Sequence, residues 1–149
     1  MPVFEPRNPN FESIVRESFA KQTVMTAINA KLLTVKPGYT EIHLPYSPNF
    51  TQQHGFLHAG IITTIADSAA GYAAFSLMPV GFNVLTIEFK VNLLSPGVGE
   101  YFVAQGQVIR AGRTITVCQS NVYGHNGEDN KHVALLQATI MQVEVPETA

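Results

Sequence analysis

The sequence predicts an α+β fold in which a curved antiparallel sheet wraps around one long, buried helix. Residues 54–78 indicate a glycine-containing loop that runs into a helix, and this helix carries apolar or small residues almost all the way round. A helix without a polar face is normally buried. A hairpin pattern precedes this segment, and four alternating stretches separated by turn signals follow it. An open sheet has one apolar face to bury, and the central helix is the only long apolar element available to cover it.

The residues before the central helix predict a peripheral helix and a hairpin. After an extended lead-in at 2–9, Asn10 is suited to cap a helix that begins at Phe11 and covers an edge or an entrance. Its apolar residues recur at helical spacing; they are Phe11, Ile14, Val15 and Phe19. Pro37-Gly38 marks the turn of the hairpin, and a polar loop at 45–53 leads into the central helix. The hairpin strands are expected at 32–35 and 41–44.

The residues after the central helix predict four long strands. They are expected at 83–94, 100–109, 114–123 and 132–143, with turns at 95–99, 110–113 and 126–130 and an acidic tail after 144. The first strand alternates strictly, which predicts one buried face. The residues assigned to that face are Leu85, Ile87, Phe89, Val91 and Leu93. Thr86 and Lys90 fall on the opposite, polar face, so Thr86 could reach a site near the helix only across a subunit seam or through a bulge.

The composition indicates one self-associating domain that spans residues 1–149. Hydrophobic residues make up 46% of the chain and charged residues only 13%, well below the usual quarter. Because monomers seldom expose large apolar patches, we expect an oligomer. The net charge is −2 and the basic residues are scattered, so we expect no nucleic-acid partner.

The location expected is the cytoplasm, without a membrane partner. Cys118 is the only cysteine, which agrees with a reducing compartment. The first residues contain no basic segment followed by an apolar run, as a secretory signal would. The central helix is the longest apolar stretch, and its polar and small residues make it a poor membrane span.

Asp67 is the main candidate functional residue, because it is the only formal charge between Leu57 and Met78. A buried carboxylate costs several kcal/mol unless it is paired or its pKa rises, and such groups cluster at functional sites. The alternative interpretation is an aspartate that bonds to backbone at a helix kink or a subunit seam.

The central segment resembles the hotdog-fold acyl-CoA thioesterases, in the PaaI-like branch of the 4-hydroxybenzoyl-CoA thioesterase superfamily. The resemblance covers roughly residues 25–143. It is carried by His58-Ala59-Gly60, Ala66-Asp67-Ser68, Gly71, Leu94-Ser95-Pro96 and Gly112-Arg113. It implies a homodimer with a joined sheet, commonly paired into a dimer of dimers. It also implies a site at the dimer seam that hydrolyses acyl-CoA to a free acid and coenzyme A. No cofactor or metal is expected beyond the coenzyme A of the substrate.

The resemblance assigns catalytic roles to five positions. Asp67 would act as the general base that activates water, or as the nucleophile that forms an anhydride. Backbone amides at the start of the helix, those of Ala59 and Gly60, are suited to hold the oxyanion, and the resemblance selects Ala59. Ala59 replaces the glycine that is commoner in the family, which affects the expected substrate range more than the activity.

The remaining catalytic candidates carry open alternatives. His58 would position the thioester and its sulfur, or it is a loop histidine that caps the helix. Gln52 would orient water or the product carboxylate, or it is a solvated loop amide, with Gln53 beside it. Thr86 falls where relatives place a hydroxyl near the nucleophile.

A further set of residues is expected to bind substrate or coenzyme A. It comprises Gly60, Ser68, Lys90, Ser95, Pro96, Arg110, Gly112 and Arg113. The arginine fork suits the phosphates of coenzyme A, although an ordinary hairpin turn with solvated charges explains Arg110 and Arg113 as well. His54 and His58 have helical spacing, but the glycine-rich loop between them does not hold metal-binding geometry, so no metal site is expected.

The acyl group is expected to be medium-length or aromatic. The small residues Ala69, Ala70, Ala73 and Ala74 could leave room for it, with Tyr72, Phe75 and Phe82 lining or closing the space. Two other functions remain open: a non-catalytic acyl-CoA-binding module, and another hotdog enzyme such as a hydratase or dehydratase.

Overall fold

A computed structural model describes residues 2–146 and shows the predicted architecture. Six antiparallel strands form one sheet in the order β1-β2-β4-β5-β6-β3. The helices are α1 (Phe11–Ala20), α2 (Thr23–Ala27) and α3 (Ala59–Phe75), with a 3-10 turn at Pro48–Phe50. The strands are β1 (Lys31–Lys36), β2 (Tyr39–Pro45), β3 (Phe82–Leu93), β4 (Tyr101–Ala111), β5 (Ile115–Asn126) and β6 (Asp129–Glu144). The α+β class with a long central helix is therefore confirmed.

Helix α3 packs unusually close to the sheet because both surfaces carry small residues. A Cβ atom added at Gly106 in β4 would lie 2.2 Å from the carbonyl of Ala69. Thr40 in β2 donates its hydroxyl to the same carbonyl at 2.8 Å. The alanines on this side of α3 are fully buried; they are Ala66, Ala69, Ala70, Ala73 and Ala74. The expectation that this alanine stripe leaves room for an acyl chain is therefore wrong, because strand backbone fills the space.

Helix α1 is the predicted peripheral helix, and it closes the C-terminal half of α3. Val15 of α1 is fully buried against a second apolar cluster that contains Val35, Tyr72, Phe75 and Met78. Phe75 and Phe82 belong to this packing, so of the three expected aromatic residues only Tyr72 lines a cavity beside the candidate site.

A β-bulge in β3 contradicts the predicted single buried face of that strand. Thr86 is opposite Ile140 of β6 and Glu88 is opposite Thr139, so Ile87 is the extra residue. One inserted residue reverses the alternation of side chains. Even-numbered residues therefore face α3 before the bulge, and odd-numbered residues face it after the bulge. Thr86 therefore faces the helix before the bulge, whereas Phe89 faces it after the bulge.

The apolar residues of β3 remain largely exposed instead of forming the expected buried face. Leu85 and Ile87 lie on the side away from α3, and Phe89 and Leu93 lie beyond the area that α3 covers. Their exposed fractions are 61%, 52%, 43% and 52%, respectively. Only Val91 packs against the core as expected.

Candidate active site

The start of α3 leaves one backbone amide available for a ligand. His58 is the N-cap residue, and its Nδ1 accepts a hydrogen bond from the amide of Gly60 at 2.8 Å. The amides of Ile61 and Ile62 donate to the carbonyl of His58. Within residues 2–146 the Ala59 amide has no such partner. Gly60 is therefore not the free donor that the sequence suggested, whereas Ala59 is.

The capping interaction also settles what His58 does locally. Because Nδ1 accepts a hydrogen bond, a neutral ring carries its proton on Nε2. The side chain is exposed, so Nε2 can donate to a molecule bound at the start of the helix. The capping alternative is thus observed, and it leaves the expected positioning role possible.

Gln52 is held in a tight turn immediately before α3. Its amide donates to the carbonyl of Phe56, and its carbonyl accepts from Gly55, which has a positive φ of 83°. Its side-chain Oε1 accepts from the amide of His54, which leaves Nε2 as a donor. Gln53 is exposed, and Gln52 is the glutamine that lines a cavity with Ala59.

We call this space the Ala59 cavity; it has a volume of about 350 Å³. It brings together four residues that the sequence assigned to the site, namely Gln52, Ala59, Ser95 and Pro96. The other lining residues are mostly apolar: Phe56, Leu57, Ile62, Leu93, Leu94 and Gly97. Ser95 is oriented by its hydroxyl, which donates to the carbonyl of His132 at 3.0 Å.

Asp67 lies on α3 eight residues after Ala59, and its side chain is half-buried. Thr86 of β3 donates its hydroxyl to Oδ1 of Asp67 at 2.9 Å. Burial raises the pKa of the Asp67 carboxyl above its ordinary value, and the Thr86 hydrogen bond opposes part of that rise. No backbone group bonds to this carboxylate in the part of the chain that the structure describes, and α3 is continuous through it. These facts argue against the interpretation of Asp67 as a residue bonded to backbone at a kink.

The bulge in β3 is what brings Thr86 to Asp67 within a single chain. The sequence placed Thr86 on the face away from α3, and that placement is wrong because the alternation reverses at Ile87. A bulge is one of the two routes by which the sequence lets Thr86 reach the helix, but β3 contains no glycine that would mark its position.

A second cavity, which we call the Asp67 cavity, also has a volume of about 350 Å³. Its walls come from α1 and the residues after it, from α3, and from the start of β3. The lining residues are Ser18, Lys21, Gln22, Asp67, Ser68, Gly71, Tyr72, Asn83 and Val84. Ser68 donates to Oε1 of Gln22 at 3.3 Å. Sequence reasoning missed Ser18, Lys21, Gln22 and Asn83, and its only hint was that the first helix covers an entrance.

The other residues expected to bind coenzyme A lie outside both cavities. Lys90 is on the face of the sheet that is turned away from α3, beside Gln137. Arg110 and Arg113 are exposed at the β4–β5 turn. Gly112 is required by that turn, since an added Cβ would lie 2.4 Å from the carbonyl of Ile115. A single chain therefore does not bring these residues to Asp67.

The two halves of the candidate site are too far apart to act on one thioester. Ala59 and Asp67 are eight residues apart on the same helix, which corresponds to about 12 Å along its axis. An oxyanion donor and an attacking group must both lie roughly 3 Å from the same carbonyl. One chain therefore presents two half-sites.

Two negative findings apply to residues 2–146. They contain no cluster of three or more histidine, cysteine, aspartate or glutamate side chains placed to hold a metal ion. None of their helices is both long enough and apolar enough to cross a membrane.

Comparisons with known proteins identify the family. The Thioesterase superfamily profile matches residues 54–130. A thioesterase family protein from Silicibacter pomeroyi is 46% identical, with a TM-score of 0.89 over 91% of this chain and 99% of that one. The Escherichia coli PaaI protein shares the fold at 17% identity, with a TM-score of 0.82 over 92% of this chain and 96% of that one.

A curated relative has a more specific name. The medium/long-chain acyl-CoA thioesterase YigI of Escherichia coli is 30% identical over 98 residues, which cover 57% of this chain and 61% of YigI. The profile match spans more than half of the chain and includes Ala59, Asp67 and Thr86. The chain therefore belongs to the thioesterase superfamily, has its hotdog fold and is a thioester hydrolase.

Proposed function

We propose that this protein hydrolyses medium-length or aromatic acyl-CoA to a free acid and coenzyme A, in sites that two copies of the chain form together. The observation that carries the proposal is the carboxylate of Asp67, which accepts a hydrogen bond from Thr86 and lines a cavity. The free amide of Ala59 lies on the same helix. The name of the relative YigI supports acyl-CoA as the substrate class.

In this proposal Asp67 supplies the attacking oxygen. Thr86 donates to Oδ1, which leaves Oδ2 to accept from a water molecule or to attack the thioester carbon. The raised pKa of this carboxyl makes it a stronger base than an ordinary aspartate. Both roles, general base and nucleophile, fit this arrangement.

The carbonyl oxygen would be held at the start of α3. The amide of Ala59 points out of the helix at its positive end, which stabilises a developing negative charge. Nε2 of Gln52 and of His58 are the nearby donors that remain after their local hydrogen bonds are formed. They suit the product carboxylate and the leaving sulfur, respectively. The proposal invokes no metal and no cofactor beyond the coenzyme A of the substrate.

A second copy would complete the site by pairing its β3 with the β3 of the first. Strand β3 is at the edge of the sheet and exposes Phe89 and Leu93 on the helix side. A two-fold axis through this edge sets the two α3 helices side by side and antiparallel, so Ala59 of each chain can approach Asp67 of the other. Arg110 and Arg113 would then meet coenzyme A from the neighbouring chain, whereas Lys90 would stay on the opposite face of the joined sheet. A dimer of dimers and a cytoplasmic location remain predictions.

The first test measures thiol release from short, medium, long and aryl acyl-CoAs. The Asp67→Asn variant keeps the shape of the carboxylate and removes its charge, so turnover should fall about 10²-fold or more. Binding of acyl-CoA without turnover by the native protein would instead support the non-catalytic binding module. The thioesterase family match does not favour a hydratase or dehydratase.

The second test asks whether two chains share one site. Ala59→Pro removes only the oxyanion amide, because proline is favoured at the first helical position and His58 already has the extended φ of −61° and ψ of 136° that proline requires before it. We expect it to lower kcat about 10²-fold or more. Mixing it with Asp67→Asn in equal amounts under exchange conditions should restore about a quarter of the native sites. No recovery in verified mixed dimers would show that each chain works alone.

A further inference from the structure

The polar wall of the Asp67 cavity contains donors that the protein itself does not use. In residues 2–146 the ammonium of Lys21 forms no hydrogen bond or ion pair, although this residue lines the cavity. Asn83 uses its Oδ1 to accept from the amide of Val84 at 2.8 Å, so its Nδ2 is left as a donor. Both groups border the same space as Asp67.

Apart from the Asp67 carboxylate, the acceptors in this wall already take part in hydrogen bonds within the protein. Oε1 of Gln22 accepts from Ser68, and the hydroxyls of Ser18 and Tyr72 lie 3.3 Å apart and bond to each other. Val84 is the only aliphatic residue among the nine that line the cavity. A purely hydrocarbon acyl chain would therefore desolvate Lys21 and Asn83 without offering them an acceptor, which is costly.

The two cavities suggest which arm of the thioester each one receives. The Ala59 cavity adjoins a surface groove of about 400 Å³, with which it shares Phe56 and Gly97, and together they offer a candidate path to solvent. That path suits the pantetheine arm, because the nucleotide of coenzyme A must remain outside. The Asp67 cavity is then left for the acyl group, with α1 closing its far side.

We propose that the Asp67 cavity selects acyl groups whose far end carries a carboxylate, which Lys21 and Asn83 bind. The proposal rests on the proposed thioesterase function and narrows its substrate class to ω-carboxyacyl thioesters. Lys21 is the C-cap residue of α1, where a cation is favoured by the helix dipole, and its backbone amide donates to the carbonyls of Ser18 and Phe19.

The test compares adipoyl-CoA with hexanoyl-CoA, two substrates of equal chain length that differ at the far end. The measured quantity is the ratio of their kcat/KM values, which should favour adipoyl-CoA in the native protein. Lys21→Met keeps much of the stem and removes the charge, so it should lower the ratio about fivefold, the upper range for a partly exposed ion pair. Lys21→Glu should lower it further, and Lys131→Met, an exposed lysine outside the cavity, should leave it unchanged.

A binding experiment separates this proposal from the proposed catalytic function. Calorimetry in the Asp67→Asn background, with and without Lys21→Met, measures the preference for adipoyl-CoA without any turnover. Hydrolysis of hexanoyl-CoA with a ratio that Lys21→Met does not change would overturn the carboxylate selection and leave the thioesterase function intact. If no thioester is turned over but binding still favours adipoyl-CoA in a Lys21-dependent way, the thioesterase function is overturned and the carboxylate selection stands.

Discussion

The two edge strands of the sheet, β1 and β3, differ in how well their edges are covered. Strand β1 is short, and Arg16 of α1 donates to the carbonyls of Leu32 and Leu33 from its two terminal nitrogens. Glu12, one turn earlier, holds this arginine at 3.0 Å. Strand β3 has 12 residues and exposes large apolar side chains along its length. Covered edges prevent further pairing and open apolar edges invite it.

This difference between the edges predicts how many chains can join through the sheet. A chain with one covered edge and one open edge can add a single neighbour, and an isologous contact then closes the assembly as a dimer. The open edge is also the strand that carries Thr86, so the proposed pairing and the proposed catalysis would depend on the same element. Three substitutions test this comparison, and they are ordered from the largest expected effect to the smallest.

Phe89→Asp should break the open edge. Phe89 lies on the helix side of β3 and is 43% exposed in one chain, and the proposed dimer buries it twice by symmetry. An unpaired charge buried in an interface costs several kcal/mol, so we expect monomers and a loss of activity of about 10²-fold or more. Light scattering and thiol release measure the two effects. The matched control is Leu33→Asp on β1, 51% exposed, which should remain dimeric and active; equal behaviour of both variants would contradict the comparison.

Thr86→Val should weaken the site while leaving the edge intact. The valine keeps the shape of the side chain but no longer donates to Asp67, and loss of a hydrogen bond to a charged group costs about 1.5–3 kcal/mol. We expect kcat to fall about tenfold and the pKa of Asp67 to rise further, because the hydrogen bond favours its ionised form.

The pH profile of kcat/KM tests the direction of the expected change in the pKa of Asp67. The proposed mechanism requires ionised Asp67, so the acidic limb of the pH profile of kcat/KM should move to higher pH in Thr86→Val. The oligomeric state of the native protein should be unchanged in this variant. Thr139→Val on the neighbouring strand is the control, since its hydroxyl donates to Glu88 and not to Asp67. An acidic limb that stays in place would show that Thr86 does not act through the Asp67 carboxylate.

Arg16→Ala should open the covered edge, with the smallest effect. The substitution removes two hydrogen bonds to strand carbonyls and an exposed ion pair, so the free energy of unfolding should fall by only about 1 kcal/mol. The more informative result is concentration-dependent association beyond the state of the native protein, measured by light scattering. Lys131→Ala is the control for loss of surface charge. Unchanged association would mean that α1, rather than the arginine, protects β1.

Much of this architecture could be read from local residue patterns. The buried helix follows from the absence of a polar face between 59 and 75, and the strands follow from alternation and turn residues. Asp67 stood out because a lone charge in such a helix requires a reason. These features depend on periodicity and on burial costs that a short stretch of chain already expresses.

The features that failed depend on long-range register. The bulge at Ile87 is visible only when β3 is paired with β6, because nothing in the local alternation marks an inserted residue. The alanine stripe on α3 was equally ambiguous, since small residues permit either a cavity or a close approach. Gly106, which lies far away in the sequence, decided in favour of close approach.

The sequence by itself thus determined the element order, the buried helix, the carboxylate of Asp67 and the motif at the start of α3. Only the tertiary structure decided that Thr86 contacts Asp67, that Gly60 is used by His58, and that Lys21 and Asn83 border the same cavity as Asp67. The physical reason is that periodicity is a property of neighbouring residues, whereas a site forms where side chains from separate segments meet. We call this meeting of side chains a coincidence in space. Strand register and helix packing fix that coincidence, and both are set by the whole fold.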